Sequence, residues 1–225
     1  MAAREIIILG AGGLAREVAL LIEDINRQGE VWKLLGYVDK EPNRVGTMVG
    51  KYPIMGTESE ISGWTGDAVI AVGNPAQVQG IRAKISAYPG LTFPNLIHPS
   101  VIWDAASTSI GEGNMICAGA VLTVDITIGS FNILNMNSSY GHDVIIGDCC
   151  VISPGVAVGG GVEVGTGCLL GMGSQIYQYR SIGPGATVAM GSAVVSDVAA
   201  NTTVIGVPAR RLPSSNHDED TGSDQ

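Results

Sequence analysis

Large aromatic side chains are scarce in this 225-residue chain: Phe occurs twice, and Phe, Trp and Tyr together make up 5 % of it. An interior filled by rings is excluded, so the core has to be thin and lined by Ile, Val and Leu. Cations are also few. Twelve Lys and Arg stand against 21 Asp and Glu, for a net charge of −9. That balance lacks the basic footprint of a nucleic-acid-binding protein. Part of the negative charge lies past Pro213, at Asp218, Glu219, Asp220 and Asp224. The four cysteines Cys117, Cys149, Cys150 and Cys168 show no CxxC spacing. They read as small buried thiols rather than metal ligands or disulfide partners. Only three histidines occur, and a zinc site of three imidazoles would have His142 with only the distant His98. No metal is expected. Long apolar runs are missing too: Ile6–Leu9 is short, with Arg16 and Glu17 soon after, and nothing approaches a span of about 20 apolar residues. Neither membrane insertion nor export is expected, which leaves the cytoplasm as the expected compartment.

What is abundant is glycine, 32 residues, and a rhythm of six. A hydrophobic or aromatic residue stands at every sixth position from Ile110 to Val194 without a miss. Period six matches neither a helix of 3.6 residues per turn nor an alternating strand. It marks a parallel β-helix of hexapeptide repeats, each giving one short strand and one corner. Three hexads make a triangular coil, so residues 18 apart stack. Ile110, Ile128, Ile146, Val164 and Ile182 form one column, and each is followed by glycine, from Gly111 to Gly183. A corner with a backbone conformation closed to most residues is the expected reason. The column Asn114, Asn132, Cys150, Cys168 holds small residues suited to a cramped corner. Tyr140 is the odd member of the core series.

Three zones follow. Residues 1–93 read as α/β: a strand Glu5–Leu9, a helix from about Leu14 to Asn26, a strand ending near Asp39, a strand near Ala68–Val72, and a helix to about Ala87. Residues 94–212 form the β-helix. Residues 213–225 are polar and acidic and are expected to be disordered.

Gly10-Ala11-Gly12-Gly13-Leu14-Ala15 follows a strand and opens a helix, and it satisfies G-x-G-x-x-A. Such a loop brings a phosphate against backbone N–H groups at a helix N-terminus, and Asp39 at the end of the next strand can accept from a ribose hydroxyl. The same loop without a ligand would be a tight strand-to-helix turn. The zone is too short for both halves of a dinucleotide fold, so a single nucleotide moiety fits better than NAD. Gly73 ends another strand on the same edge.

His142 lies two residues past Tyr140, near a coil corner, beside Asp143. It is either an exposed turn histidine or a base oriented by Asp143. The 18-residue index places Asp125 beneath Asp143, as a second carboxylate raising the basicity of His142, and Gly160 above His142, leaving room for a slender ligand arm.

Together these residues resemble the bacterial sugar O/N-acetyltransferase family, which includes the bacillosamine and perosamine N-acetyltransferases and the sialic-acid-cluster O-acetyltransferases. The matching pieces run through nearly the whole chain: Gly10–Gly13, Gly36-Tyr37-Val38-Asp39, Ala71-Val72-Gly73-Asn74, Asn95-Leu96-Ile97-His98-Pro99, the hexads, Gly141-His142-Asp143 and Gly206-Val207-Pro208-Ala209-Arg210. The resemblance implies a Rossmann-like domain followed by a left-handed β-helix, assembled as a homotrimer with active sites between subunits. It implies an acetyl-CoA-dependent transferase acting on the amino group of a nucleotide-linked 4-aminosugar, with His142 as general base and Asp143 raising its basicity. Gly12, Gly13, Leu14, Asp39 and Gly73 would hold the nucleotide sugar, and Asn135 would lie near the sugar. Val151, Gly155, Met172 and Met190 match acetyl-CoA positions. The chain departs from the pattern at Leu14, where many members carry His, at Lys40, a cation able to meet a phosphate where a second acid is common, and at Asp143, often Glu. O-acetylation by the same base, a non-catalytic nucleotide-sugar-binding scaffold, and a small nucleotide-dependent oxidoreductase are the alternatives.

Overall fold

The computed structural model describes residues 3–60, 63–85 and 89–213. Its N-terminal part is a six-stranded sheet carrying two helices. β1 (Arg4–Leu9) is followed by α1 (Gly13–Asn26), β2 (Trp32–Val38), β3 (Met48–Val49), β4 (Tyr52–Gly56), β5 (Gly66–Ile70), α2 (Pro75–Ile85) and β6 (Leu91–Thr92). The expected helix end near Ala87 falls outside the described residues, as do residues 214–225 of the acidic tail. The strand order is β3-β4-β2-β1-β5-β6, parallel except for the β3–β4 hairpin. The two strands flanking β1 are β2 and β5, so the order reverses at β1. α1 buries Ala15, Val18, Ala19, Leu21 and Ile22, a stripe at helical spacing.

From Leu96–Ile97 onward the chain coils. Fifteen two-residue strands, Ser109–Ile110 through Ala193–Val194, each end on one residue of the six-residue series. All but the last three pair in parallel with the strand 18 residues on, as in Ile128↔Ile146 and Tyr140↔Val158. Three flat sheets result, and the coil is a left-handed parallel β-helix. The inward residues are almost dry: Ile116, Leu134, Ile152, Leu170 and Val188 have no exposed surface. Tyr140 fits because its hydroxyl donates to Ser138 Oγ inside the core (3.1 Å) and Ser138 Oγ donates to the Asn135 carbonyl (2.7 Å).

The glycine rule has a different cause from the expected one. Gly111, Gly129, Gly147, Gly165 and Gly183 have ordinary φ. The left-handed conformation falls two residues later, at Gly113, Phe131, Cys149, Gly167 and Gly185. What the five glycines avoid is the next coil: a Cβ on Gly165 would lie 2.6 Å from Pro184 N, and one on Gly147 2.7 Å from Thr166 N. The small column does line the inside of that corner. Asn114 Oδ1 accepts from Asn132 N–H (2.9 Å) and Asn132 Oδ1 from Cys150 N–H (2.7 Å). Cys150 and Cys168 continue the ladder as free thiols, donating to the Gly165 and Gly183 carbonyls at 3.1 and 3.2 Å.

The N-terminal part seats on one face of the prism. Val18 and Leu21 of α1 share a buried cluster with Met115, Ile133 and Val151. Phe93 meets Phe131 edge to face, with Arg82 over the Phe131 ring. Arg82 also donates to Asp148 (2.6 Å), and His98 bridges Ser100 and Asp24 as a junction residue. Burial would raise the Asp148 carboxyl, but the Ser130 N–H and Arg82 outweigh it and hold it below the usual 3.8.

Two outcomes are expected. Gly165→Ala and Gly165→Asn should destabilise similarly, by roughly 1–3 kcal/mol in urea unfolding, because both meet Pro184 backbone; a clear advantage for Asn, which tolerates left-handed φ, would restore the conformational explanation. Asp148→Asn should lower Tm at pH 7. A depressed folded pKa gives stability above the unfolded value that is lost as pH falls through the folded one, so the deficit should shrink below pH 3.8. An equal deficit at pH 7 and pH 3 would contradict the ion pair.

Candidate active site

The order reversal at β1 opens a crevice at the carboxyl ends of the strands, the usual ligand position in such sheets. The cavity there measures about 620 Å³ and is lined by Gly10–Leu14, Asp39, Lys40, Arg44, Glu58, Gly73, Gln77 and Lys84 among others. Its glycines do different jobs. Gly10 has φ +118, and a Cβ there would lie 2.9 Å from the Ala71 carbonyl oxygen, so the fold itself requires it. Gly12 has nothing within 4 Å of a built Cβ, and Gly13 only the tip of Arg16. No packing within the fold requires those two to be bare. α1 starts with no side-chain cap at Gly12 and no acid in its first turn. Its first N–H groups and positive end therefore face the crevice.

Asp39 is buried at 7 % exposure but is not free. One oxygen accepts from Glu41 N–H (3.1 Å) and the other from Arg44, whose guanidinium also reaches the Ala11 carbonyl (3.3 Å). Arg44 thus straps the acid to the glycine loop. Lys40, 83 % exposed, and Lys84 add cations at the wall. The sequence reading missed Arg44, Glu58, Gln77 and Lys84; only Arg44, five residues past Asp39, left a local hint. Leu14 lines both this cavity and a second one of about 90 Å³, between α1 and the prism corner carrying Cys117 and Met136. Burial, then the Glu17 charge, pushes the Cys117 thiol up to about 12, so it stays protonated and is no nucleophile.

His142 stands on a different corner, half exposed. Its Nδ1 lies 2.8 Å from Asp143 Oδ2. With that nitrogen donating, Nε2 is left as the acceptor. Gly160 stands over it: a Cβ there would lie 2.6 Å from Nε2. The carboxylate paired with the ring is Asp143. Asp125 does stack one coil below, sharing the left-handed turn, but it makes no bond to the imidazole. The Tyr179 ring packs edge to face on His142, centroids 6.3 Å apart. The sequence reading missed Tyr179, although it lies two 18-residue periods past Asp143.

Asn135, Gly155, Met172 and Met190 share a third location, the corner after Leu134. Gly155 is left-handed with open space around it, and Met172 and Met190 are 55 % and 70 % exposed. Val151 does not join them. Its side chain is buried in the cluster under the N-terminal part, so it offers no face to a ligand along that corner. Within one chain, then, the His142 corner is separate from the methionine corner, while the methionine corner adjoins α1 through Cys117 and Met136, next to Leu14 of the crevice. Among the described residues no group of three or more His, Cys, Asp or Glu could hold a metal, and no helix is long and apolar enough to cross a membrane.

Residues 5–85 match the PglD N-terminal domain family. No curated protein matches by sequence. Among solved structures, perosamine N-acetyltransferase from Caulobacter crescentus, a histidine-to-asparagine variant in complex with CoA and GDP-perosamine, superposes with a TM-score of 0.83 at 29 % identity, covering 94 % of this chain and 100 % of that one. The acetyltransferase domain of PglB from Neisseria gonorrhoeae, in complex with acetyl coenzyme A, gives 0.83 at 27 % identity over 94 % and 100 %. WeeI from Acinetobacter baumannii gives 0.82 at 27 % over 92 % and 99 %. A Rossmann-like crevice set on a left-handed β-helix, with these likenesses, defines an acyltransferase. Over nearly its whole length the chain is similar to sugar N-acetyltransferases of the left-handed β-helix type.

Arg44→Met should raise the KM for a nucleotide-linked sugar roughly tenfold, the loss of one charged contact, with the KM for acetyl-CoA unchanged. Steady-state kinetics with each substrate varied in turn decide it; equal effects on both would place Arg44 outside the crevice's function.

Proposed function

We propose that this protein transfers the acetyl group of acetyl-CoA to the amino group of a nucleotide-linked aminodeoxysugar, with His142 as general base. The observation that carries the reading is the exposed His142–Asp143 pair, with the Nε2 acceptor beneath a glycine. The crevice would take the nucleotide: phosphates against the α1 N-terminus and Gly12–Gly13, cations Lys40 and Lys84 alongside, ribose toward Asp39 and Arg44. The relatives bound to CoA, acetyl-CoA and GDP-perosamine support both substrate classes.

The amine nitrogen attacks the thioester carbonyl carbon while Nε2 takes its proton, and Asp143 stabilises the imidazolium. The tetrahedral oxyanion then collapses, the C–S bond breaks, and the imidazolium returns the proton to the leaving thiolate. The coil-to-coil ladder uses the Gly159 and Gly161 N–H groups but not that of Gly160. This free amide, on the residue that faces the imidazole, is the oxyanion donor in this reading. Alignment of the two bound substrates supplies much of the remaining acceleration.

Because His142 and the crevice belong to different sides of one chain, a complete site is assembled between copies. A closed three-fold ring would bring the His142 corner of one copy to the Asn135 and methionine corner of the next. Acetyl-CoA would lie along Gly155, Met172 and Met190 in that seam.

Thiol release from acetyl-CoA with UDP-, GDP- and dTDP-linked 4-aminosugars tests the reading. His142→Ala should lower kcat by about 10²–10⁴ without changing the assembly's mass, and alkali-stable product should identify an amide. Undiminished turnover in that variant would sink the assignment of the base.

A further inference from the structure

We propose that Tyr179 is a positioning residue for His142, holding the imidazole in place by its ring; this rests on His142 being the base. Fourteen corners along the six-residue series take a left-handed residue at the third position after the core, with φ from +54 to +73. Eleven of these are Gly, Asn or Asp, the residues that adopt that conformation at low cost. Phe131, Cys149 and Tyr179 are the exceptions. The first two are explained by burial: Phe131 (4 % exposed) sits under Phe93 and Arg82, and Cys149 (1 %) in the same cluster. Tyr179 has no such reason within its own chain. It is 60 % exposed at φ +54, and the aromatic ring it packs on is His142.

Two glycines make that packing possible. Gly160 leaves the space that a Cβ would take from His142 Nε2, and Gly161 leaves the space beneath the Tyr179 ring. The imidazole is thereby held at Nδ1 by Asp143, faced by the Gly160 backbone, and met edge to face by Tyr179. A strained residue kept where nothing in the core repays it marks a functional constraint. The constraint here is ring orientation: with Tyr179 gone, the half-exposed imidazole is free to turn about its side-chain torsions and lose its line to the amine.

The discriminating variants are Tyr179→Gly, which relieves the left-handed strain, and Tyr179→Phe, which keeps the ring. Tyr179→Gly should lower kcat roughly ten- to a hundredfold, as misplacement of a reacting group does, with both KM values within about twofold and Tm equal to or above that of the parent. Tyr179→Phe should restore kcat. In [¹³C]histidine-labelled protein, the His142 ring signal, assigned by its loss in His142→Ala, should shift in the Gly variant and not in the Phe variant. Parent-like kcat in Tyr179→Gly overturns the proposal, as does a raised acetyl-CoA KM at unchanged kcat, which would make Tyr179 a ligand contact. A Tm loss paralleling the kcat loss makes it structural, and a Phe variant as poor as Gly assigns the effect to the hydroxyl; either also overturns it. If His142→Ala keeps full turnover, the base assignment itself fails, and the Tyr179 result then stands apart from it.

Discussion

Strand after strand of the prism pairs with the one 18 residues on, through backbone hydrogen bonds, and most of the molecule's features follow from that pairing. Successive coils are held about 4.8 Å apart, the spacing of paired strands. At that distance a side chain just after the first-column core residue collides with the coil above, so glycine is required there for closeness rather than for conformation. The turn itself is made two residues later, by residues tolerant of positive φ. The inside of the corner then needs polar atoms, supplied by Asn114, Asn132 and the two cysteine thiols. The ladder also leaves some corner amides unused, and Gly160 N–H is one of them.

The N-terminal part brings a second constraint, a sheet whose strand order reverses at β1. It presents an uncapped helix end and two bare glycines to one crevice, and buries its other side on one face of the prism. That burial makes the molecule asymmetric. One face is covered, with Met115, Ile133 and Val151 taken into the junction. The other corners stay open, one carrying His142 and another the exposed methionines.

Much of this was legible in sequence, because a solenoid makes contact order nearly one-dimensional. The six-residue rhythm gave strands, core and stacking, and the 18-residue index put Gly160 over His142. The same index, carried one more period, reaches Tyr179. It was blind to direction. It stacked Asp125 with Asp143, while the bond of Asp143 to the ring followed from adjacency in the chain. It placed Val151 on a strand but not beneath a second domain. In the α/β part the glycine loop and Asp39 were readable as a local motif. Arg44, Glu58, Gln77 and Lys84 were not, since the sheet's twist and the register of α2 decide which side chains reach the crevice.

By itself the sequence determined the period, and with it the thin aliphatic core, the parallel pairing and the set of residues available at each corner, because repetition leaves one arrangement that buries every sixth side chain. Only the tertiary structure decided which face the N-terminal sheet would cover, that Arg44 would hold Asp39, and that the crevice and His142 would stand on different sides. Those depend on how one folded surface meets another, and packing between non-repeating elements is written in no local spacing.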